Sequence, residues 1–253
     1  MTDNTAKFNG MAENYAKYRP TYSKEFIDYL YNEIGFNRDS IVADIGAGTG
    51  IFSKLLLERG NTVICVEPNS DMLTAAREFL SEYKNCQFIN APAEQTGIPD
   101  KSVDFITAAQ AFHWFDEDRF KAECRRILKD TGKAVLVWNC RVLDAEPVAA
   151  GDEINRKYCP DFNSSSGGDR GIVSDNHAGF FKDGLVDIKT FPNDYLLDED
   201  GLIGRNLSSS YAPKRGEPNY ESYISELKKL FSKYSVNGIF TMPNIIQSYV
   251  GNV

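Results

Sequence analysis

The fold of this chain is decided by the stretch Ile41-Val42-Ala43-Asp44-Ile45-Gly46-Ala47-Gly48-Thr49-Gly50, which continues as Ile51-Phe52-Ser53-Lys54-Leu55-Leu56-Leu57-Glu58-Arg59-Gly60. A short apolar, β-branched run ends in an acid and three alternating glycines, and helical spacing follows. The stretch therefore predicts a strand, a tight loop and a helix. Glycine lets backbone approach a ligand closely, and the first N–H groups of a helix are unpaired, so this corner is typical of nucleotide binding.

The same alternation of strands and helices continues after this corner. Apolar runs predict strands at residues 62–67, 86–90, 103–108 and 133–138, and helical spacing predicts helices at 70–80 and 116–128, the second closed by a turn at 130–132. Parallel neighbours need crossover connections, so this order predicts an α/β, doubly wound, Rossmann-like sheet. Ligands of such sheets bind outside the carboxyl ends of the strands.

The pattern changes on either side of this core. Upstream, Ser23 is predicted to cap a helix that ends at Gly35. Downstream, residues 144–182 have little periodicity and include a polar loop at 164–169. A strand at 185–191, helices around 202–211 and 220–231, and an antiparallel C-terminal edge strand at 241–250 follow. The predicted organisation is an N-terminal helical lid (1–40), a cofactor-binding core (41–141), an insertion or cap (142–183) and a C-terminal part that completes the sheet and pocket (184–253).

Composition and charge restrict the class of protein. The 253 residues are 42% hydrophobic and 25% charged, with a formal net charge of -8, which is ordinary for a globular domain. No stripe of Lys and Arg suggests nucleic acid as a partner, and no run approaches the ~18 apolar residues of a membrane span. We expect a cytoplasmic monomer or homodimer that acts on a small molecule.

Five cysteines are scattered through the chain without a Cys-x-x-Cys pair. This distribution predicts reduced, mostly buried thiols and no metal site.

The spacing of the glycines separates two classes of ligand. A dinucleotide fingerprint, Gly-x-Gly-x-x-Gly, would require its third glycine at position 51, which is Ile51. The chain instead has the acid Asp44 two residues before Gly46, with Gly48 and Gly50 following at alternate positions. The loop is thus a poor match to a pyrophosphate site.

The acid-plus-glycine spacing resembles the first motif of the class I S-adenosylmethionine-dependent methyltransferases. Further segments in the same order are similar to one branch, the small-molecule enzymes that resemble the trans-aconitate and ubiquinone-pathway methyltransferases. These segments are Glu67-Pro68-Asn69 with Met72-Leu73, Ala93-Glu94 before Ile98-Pro99-Asp100, Ser102-Val103-Asp104, Gln110-Ala111-Phe112-His113-Trp114-Phe115-Asp116, and Arg126-Ile127-Leu128-Lys129 before Gly132. The resemblance covers residues 8–141 well and the remainder more weakly.

The resemblance implies S-adenosyl-L-methionine as the cofactor, S-adenosyl-L-homocysteine as the product and a small-molecule acceptor methylated by in-line displacement. It places the acid and loop residues of the corner against the methionine and ribose. It assigns the ribose hydroxyls to Glu67 and includes the next residue, Pro68, in the cofactor site. The residues implied at the corner are Asp44, Gly46, Ala47, Gly48 and Gly50. For Asp44 two roles stay open: ordering its own loop, or holding the ammonium group through water.

Four further residues are implied in the cofactor site. Met72 would pack on the adenine, although ordinary helix core is an equal alternative. Ala93 and Glu94 would meet the adenine edge, with a plain exposed carboxylate as the alternative for Glu94. Gln110, leaving the fourth strand, could help to hold the methionine ammonium.

Aromatic residues near the N-terminus resemble the family's lid over the cofactor. Tyr15 and Tyr18 would face the sulfonium, and Arg19 would hold the methionine carboxylate or an anionic substrate. Simple packing of the tyrosines is the alternative.

The acceptor site is the least specified part. No catalytic residue is assigned. His113 is a candidate base, with a structural hydrogen bond as the alternative, and Trp114 is either pocket wall or core. Arg141, Arg205 and Tyr211, the last with the serines at 208–210, are candidates for contact with a carboxylate-bearing substrate, by analogy with the family.

Two other functions remain open at this stage. An NAD-dependent oxidoreductase is opposed by Ile51 and by the absence of a recognisable Tyr-Lys catalytic pair. A non-catalytic protein that keeps the cofactor-binding fold would fit the polar insertion equally well.

Overall fold

A computed structural model describes residues 21–162, 177–209 and 211–253 of the chain. The proposed lid residues Tyr15, Tyr18 and Arg19 lie outside these ranges, as do the polar loop at 164–169 and Ser210.

The described residues form a seven-stranded sheet, whose strands are β1 (Ile41–Ile45), β2 (Thr62–Val66), β3 (Cys86–Ile89), β4 (Val103–Ala109), β5 (Leu128–Arg141), β6 (Asp187–Pro192) and β9 (Asn244–Gly251). Their order across the sheet is β3-β2-β1-β4-β5-β9-β6. Strands β1 to β5 are mutually parallel. The prediction of a mostly parallel, doubly wound α/β sheet is confirmed.

The C-terminal strand β9 is antiparallel, as predicted, but it does not lie at the edge. It pairs with β5 on one side and with β6 on the other, so β6 takes the edge position. Sequence order suggested the reverse because β9 comes last in the chain. The interior position fits the side chains of β9, since Ile246, Tyr249 and Val250 are buried and extend both cores.

Alternating side chains of the central strands pack into two cores, one on each face of the sheet. Val42 faces the core that contains α1 (Lys24–Tyr29) and α2 (Ile51–Glu58), whereas Ala43 and Ile45 face the opposite core. The remaining helices of the parallel half are α3 (Ser70–Phe79) and α4 (Glu117–Ile127). Both faces of the sheet are therefore covered, which explains why its strands are apolar almost throughout.

The predicted ends of α1 are confirmed. The Ser23 Oγ accepts a hydrogen bond from the Phe26 backbone N–H, and the helix continues as a π-helical turn over Leu30–Ile34. Gly35 then ends it with a φ of 103°, a left-handed conformation that favours glycine.

Strand β5 is longer than its apolar run. The run predicts a strand at 133–138 after a turn, but β5 begins at Leu128, directly after α4. Its pairing with β4 jumps from Val103 opposite Leu128 to Phe105 opposite Lys133, so residues 129–132 form a bulge within the strand. The bulge accommodates the turn residues that the sequence placed before the strand.

Residues 144–182 contain a helix that weak periodicity did not reveal. Helix α5 (Glu146–Tyr158) packs with α6 (Glu199–Leu207) and α7 (Tyr220–Tyr234) around a third core that includes Leu202, Leu227 and Phe240. The hairpin of β7 (Tyr195–Leu197) and β8 (Phe240–Met242) completes this layer. The buried face of α5 is partly polar, with Asp152 and Asn155 at 4% exposure, and this polarity hid its helical pattern.

No helix in the described ranges is long and apolar enough to cross a membrane. All five cysteines fall within these ranges and have free thiols, and four of them are buried.

Candidate functional site

The glycine loop lies at the carboxyl end of β1 and is tied to the neighbouring strand. The backbone N–H groups of Gly46 and Ala47 both donate to the Val66 carbonyl, at 2.8 and 3.1 Å. Gly46, Gly48 and Gly50 have φ values of 70°, 56° and 85°. The loop therefore repeatedly uses a conformation that residues with a Cβ rarely adopt.

The three glycines differ in what surrounds them. A Cβ on Gly46 would lie 2.5 Å from the Ala111 Cβ, and one on Gly50 would lie 2.7 Å from the Leu80 Cδ1. A Cβ on Gly48 would meet nothing within 4 Å. Packing thus requires glycine at the first and third positions, whereas Gly48 borders open space at the end of the sheet.

Asp44 is buried beneath this loop, and both of its carboxylate oxygens are engaged. The Ser53 hydroxyl donates at 2.5 Å and the Thr107 hydroxyl at 2.7 Å, so the side chain joins β1 to α2 and β4. Burial raises the pKa of Asp44 to about 6, against the lowering effect of these two hydroxyls. These contacts fit the first of the two roles left open for Asp44, which is to order its own loop.

Glu67 follows β2 and faces the loop. Its Oε2 accepts a hydrogen bond from the Gly48 N–H at 3.0 Å, and its Oε1 accepts one from the Asn69 N–H at 2.9 Å. Burial raises the pKa of this carboxyl, while the two backbone donors oppose the rise. Each carboxylate oxygen can accept more than one hydrogen bond, so the fixed side chain keeps acceptor capacity.

The start of α3 lies beside Glu67. Asn69 caps the helix, because its Oδ1 accepts from the Met72 N–H at 3.0 Å. Pro68 is exposed, and Met72 is 3% exposed. The burial of Met72 leaves both alternatives, adenine contact and helix core, as predictions.

The loop after β3 approaches the segment after β4. Glu94 Oε1 accepts a hydrogen bond from the Asp116 N–H at 2.8 Å, and Ala93 is buried in the core. Glu94 is therefore an anchored carboxylate and not merely a solvated one.

Gln110 leaves β4 with a φ of 58°, which is uncommon for a residue other than glycine. Its Nε2 donates to the Asn139 carbonyl at 3.1 Å, whereas its Oε1 is buried with no hydrogen-bond partner among the described residues. Backbone strain together with an unsatisfied acceptor is common at functional sites.

Thr49 also has a buried polar atom in this region, which the sequence pattern did not indicate. This residue lies between Gly48 and Gly50 and is 3% exposed, and within the described ranges its hydroxyl has no hydrogen-bond partner. A threonine among glycines is easily dismissed as a spacer. Its buried hydroxyl could be identified only from the folded loop.

His113 and Trp114 lie in a 3-10 turn (Phe112–Trp114) after Gln110. Their ring centroids are 4.8 Å apart, and Trp114 is 40% exposed. The turn follows the carboxyl end of β4, and the roles of both residues stay predictions.

A second concavity, here called the helical-layer pocket, brings together the predicted acceptor residues Arg141, Arg205 and Tyr211, with Ser209 beside them. It lies between the end of β5 and helices α5, α6 and α7. Its described lining is Arg141, Pro147, Val148, Gly151, Asp152, Asn155, Leu202, Arg205, Asn206, Ser209, Tyr211, Leu230 and Met242.

The polar residues of α5 and α6 in this pocket were not predicted from the sequence. Arg141 and Asp152, at 7% and 4% exposure, form a buried ion pair. Asn155 Oδ1 accepts from the Tyr223 hydroxyl at 2.7 Å. Val148, Asp152 and Asn155 are spaced by four and then three residues, which places them on one helix face, and this spacing was the available signal.

The glycine-loop region and the helical-layer pocket are linked through β5. Gln110 contacts the Asn139 carbonyl, and Arg141 lies two residues further along the same strand. Two residues of strand span roughly 7 Å. A ligand in one region would therefore lie within a small molecule's length of the other.

Comparison with known proteins identifies the core. Residues 43–136 match a methyltransferase domain family. This part of the chain is similar to a methyltransferase domain. The match begins within β1, just before the glycine loop, and ends within β5, so it includes every strand end described above except that of β5.

Curated relatives match this same part. An uncharacterised methyltransferase of Mycobacterium tuberculosis is 36% identical over 139 residues, which are 55% of this chain and 54% of the relative. A methyltransferase-like protein of Schizosaccharomyces pombe is 33% identical over 129 residues, covering 51% of this chain and 49% of the relative. The chain thus spans about half the length of the curated relatives it matches.

Solved structures extend the likeness of the methyltransferase fold to most of the chain. A candidate type II methyltransferase from Anaeromyxobacter dehalogenans superposes with a TM-score of 0.59 at 21% identity, covering 92% of this chain and 97% of that one. A candidate methyltransferase from Bacillus halodurans gives a TM-score of 0.56 at 15% identity, covering 90% of this chain and 100% of that one. At these identities the likeness concerns the fold alone.

Proposed function

We propose that this chain is an S-adenosylmethionine-dependent methyltransferase that acts on a small-molecule acceptor. The observation that carries the proposal is a set of hydrogen-bonding groups with remaining capacity near the glycine loop: the Glu67 carboxylate, and two buried atoms, Thr49 Oγ1 and Gln110 Oε1, that have no partner among the described residues. Glu67 binds the Gly48 N–H and Thr49 follows Gly48, where a side chain would meet empty space. Gln110 directly precedes Ala111, which packs against Gly46 of the same loop.

The residues present fit the chemistry of this cofactor. The ribose offers two hydroxyl donors, which suit the fixed carboxylate of Glu67. The ammonium group of the methionine part is a donor only, which suits the unsatisfied Oε1 of Gln110. The Thr49 hydroxyl, which can donate or accept, would be a further contact to the cofactor.

The protein contributes position and shielding to such a reaction. When bound, S-adenosylmethionine supplies a sulfonium methyl group, whose bond to sulfur breaks, with its electron pair going to sulfur, as an acceptor lone pair bonds to the carbon. The hydrogen bonds of Gln110 to Asn139, and of Glu67 to Gly48 and Asn69, fix the side chains that would align this group. Alignment can supply a large part of the rate, with effective molarities of ~10⁵ M or more.

Three remaining site predictions complete the proposal. The segment with Tyr15, Tyr18 and Arg19 would cover the cofactor and exclude water. Pro68, Met72, Ala93 and Glu94 would surround the adenine. His113 and Trp114 would border the acceptor. Methyl transfer does not require a general base when the acceptor is already a good nucleophile.

Calorimetric titration with S-adenosylhomocysteine tests the proposal directly. We expect one site per chain with micromolar affinity, and no heat from NADH at the same concentration. Binding of NADH in place of S-adenosylhomocysteine would favour the oxidoreductase alternative. Binding of S-adenosylhomocysteine without turnover on any acid, phenol or amine would favour the non-catalytic alternative.

A further inference from the structure

Two cysteines on neighbouring strands have their side chains in contact. Cys65 lies in β2, Cys86 is the first residue of β3, and their sulfur atoms are 3.6 Å apart. We propose that these two thiols form a reversible disulfide and so constitute an oxidative modification site of this protein. The inference stands independently of the proposed function.

The positions of the two sulfur atoms favour a bond between them. A disulfide has a sulfur–sulfur length of about 2.05 Å, so the two atoms need to approach each other by roughly 1.6 Å. The Cys65 sulfur is already held in place, because its thiol donates to the Ser53 Oγ at 3.2 Å. Most of the movement therefore falls to Cys86, whose side chain can rotate toward Cys65.

Strand β3 can shift at its start to complete this approach. It forms one edge of the sheet, where β2 is its neighbour. Cys86 lies opposite Val63 and Cys65 lies opposite Phe88, so the two cysteines are diagonal neighbours across the strand pair. A bond between diagonal neighbours is strained, and strained disulfides are reduced more readily than relaxed ones. The geometry therefore indicates a reversible bond.

The two cysteines differ in their access to an oxidant. Cys65 is 0% exposed, whereas Cys86 is half-buried. The hydrogen bond with Cys65 lowers the pKa of the Cys86 thiol, and the Arg77 guanidinium acts in the same direction, while burial opposes both. The thiolate is the reactive form of cysteine, so an oxidant in solution reacts first at Cys86.

Hydrogen peroxide is a sufficient oxidant for this reaction. The Cys86 thiolate attacks one peroxide oxygen, the O–O bond breaks, hydroxide leaves, and Cys86 becomes a sulfenic acid. The Cys65 sulfur then attacks the Cys86 sulfur, so that the S–S bond forms and the S–O bond breaks. The leaving oxygen takes up the Cys65 proton and departs as water. In sum, two thiols are oxidised to a disulfide and one peroxide is reduced to two waters.

Peptide mapping of the full chain after treatment with hydrogen peroxide tests the inference. Trypsin releases Cys65 in residues 60–77 and Cys86 in residues 85–101, so a disulfide joins two separate peptides. We expect this linked pair, with two hydrogens lost, and its separation by dithiothreitol. It should form at least about tenfold faster than any oxidation product of Cys124, Cys140 or Cys159, because these three thiols are buried.

Two variants complete the experiment. Cys86→Ser should abolish the linked pair and leave Cys65 as a free thiol, whereas Cys159→Ser, the matched control, should form the link at the wild-type rate. Free thiols at both positions after peroxide treatment would overturn the inference. So would a Cys86 that stops at a sulfenic or sulfinic acid while Cys65 stays free. The wild-type map gives this answer even if Cys86→Ser fails to fold.

Discussion

Glu67 Oε2 accepts a hydrogen bond of 3.0 Å from the backbone N–H of Gly48, which joins the tip of β2 to the glycine loop after β1. The carboxylate thus has a structural role and borders the open space beside Gly48. Any ligand that enters this space meets an acid whose position is already fixed. Such preorganisation reduces the entropy lost on binding.

Glu67→Gln should weaken the binding of S-adenosylhomocysteine by about 10- to 100-fold. The amide keeps the size of the side chain but replaces one charged acceptor with a donor, and hydrogen bonds to charged groups contribute about 1.5–3 kcal/mol. Calorimetry of the variant measures the loss. Glu78→Gln, on the exposed face of α3, is the control, and equal affinities of the two variants would contradict the role of Glu67.

Thr49→Val should separate ligand binding from stability. The buried hydroxyl has no hydrogen-bond partner among the described residues, so its replacement by a methyl group should keep the free energy of unfolding or raise it by about 1 kcal/mol. The same change should weaken S-adenosylhomocysteine binding by roughly fivefold or more, because a ligand hydrogen bond is lost.

Thr107→Val is the matched control for that experiment. Its hydroxyl donates to Asp44 at 2.7 Å, so the same substitution should destabilise the fold by about 1–3 kcal/mol. Urea unfolding of both variants gives the two values. A Thr49→Val protein with unchanged affinity would show that the hydroxyl does not contact the ligand.

Gly48→Ala should preserve the fold and impair the site. A Cβ there meets no atom within 4 Å, so the cost is the left-handed backbone alone, about 1–2 kcal/mol. The new methyl group would occupy the space assigned to the cofactor and should lower its affinity at least tenfold. Gly238→Ala, with a φ of 76° and equally open surroundings in a remote hairpin turn, controls for backbone strain.

Gly46→Ala, unlike Gly48→Ala, should destabilise the fold strongly. Its Cβ would lie 2.5 Å from the Ala111 Cβ, so backbone must shift and we expect a loss of more than about 3 kcal/mol. Thermal unfolding measures the difference between the two loop variants. Similar melting temperatures for Gly46→Ala and Gly48→Ala would contradict the distinction between packed and open glycines.

Asp44 should make stability depend on pH in a direction opposite to that of a salt-bridged acid. Burial raises its pKa from 3.8 to about 6 in the folded protein, so the native state holds a proton that the unfolded state has released between these values. Stability contributed by this carboxyl is therefore present at low pH and decreases as pH rises from about 4 to 6. The full change is about 3 kcal/mol.

The variant Asp44→Asn isolates this contribution. The free energy of unfolding of the wild type minus that of the variant should fall across pH 4 to 6 and stay constant above that range. The subtraction removes the contribution of groups that titrate independently of Asp44. Urea titrations at a series of pH values provide the measurement, and a difference that rises with pH would contradict the assigned shift.

The ion pair of Arg141 and Asp152 should be strongly coupled. Removing one partner, as in Asp152→Ala, leaves a buried charge and should cost about 3–5 kcal/mol. The double variant Arg141→Met with Asp152→Leu should cost much less than the sum of the single changes. A double-mutant cycle by urea unfolding gives the coupling, and additive values would show that the pair is not desolvated.

The sequence alone determined the parallel half of this protein. The run from Ile41 to Val66 fixes two strands, a loop and a helix by local pattern, because each element buries apolar residues at its own period and each turn needs glycine. The resemblance to the methyltransferases selected Glu67 and Gln110, and both directly follow strands, whose ends meet at one edge of a parallel sheet.

The tertiary structure decided the features that depend on contacts between distant segments. The interior place of β9, the helical character of α5, and the pairing of Arg141 with Asp152 all join residues whose local pattern is ambiguous. The buried atoms of Thr49 and Gln110 that have no partner in the described part of the chain likewise become apparent only after folding. Hydrophobic periodicity reports which face of an element is buried, whereas the choice of partner depends on three-dimensional packing that no local pattern contains.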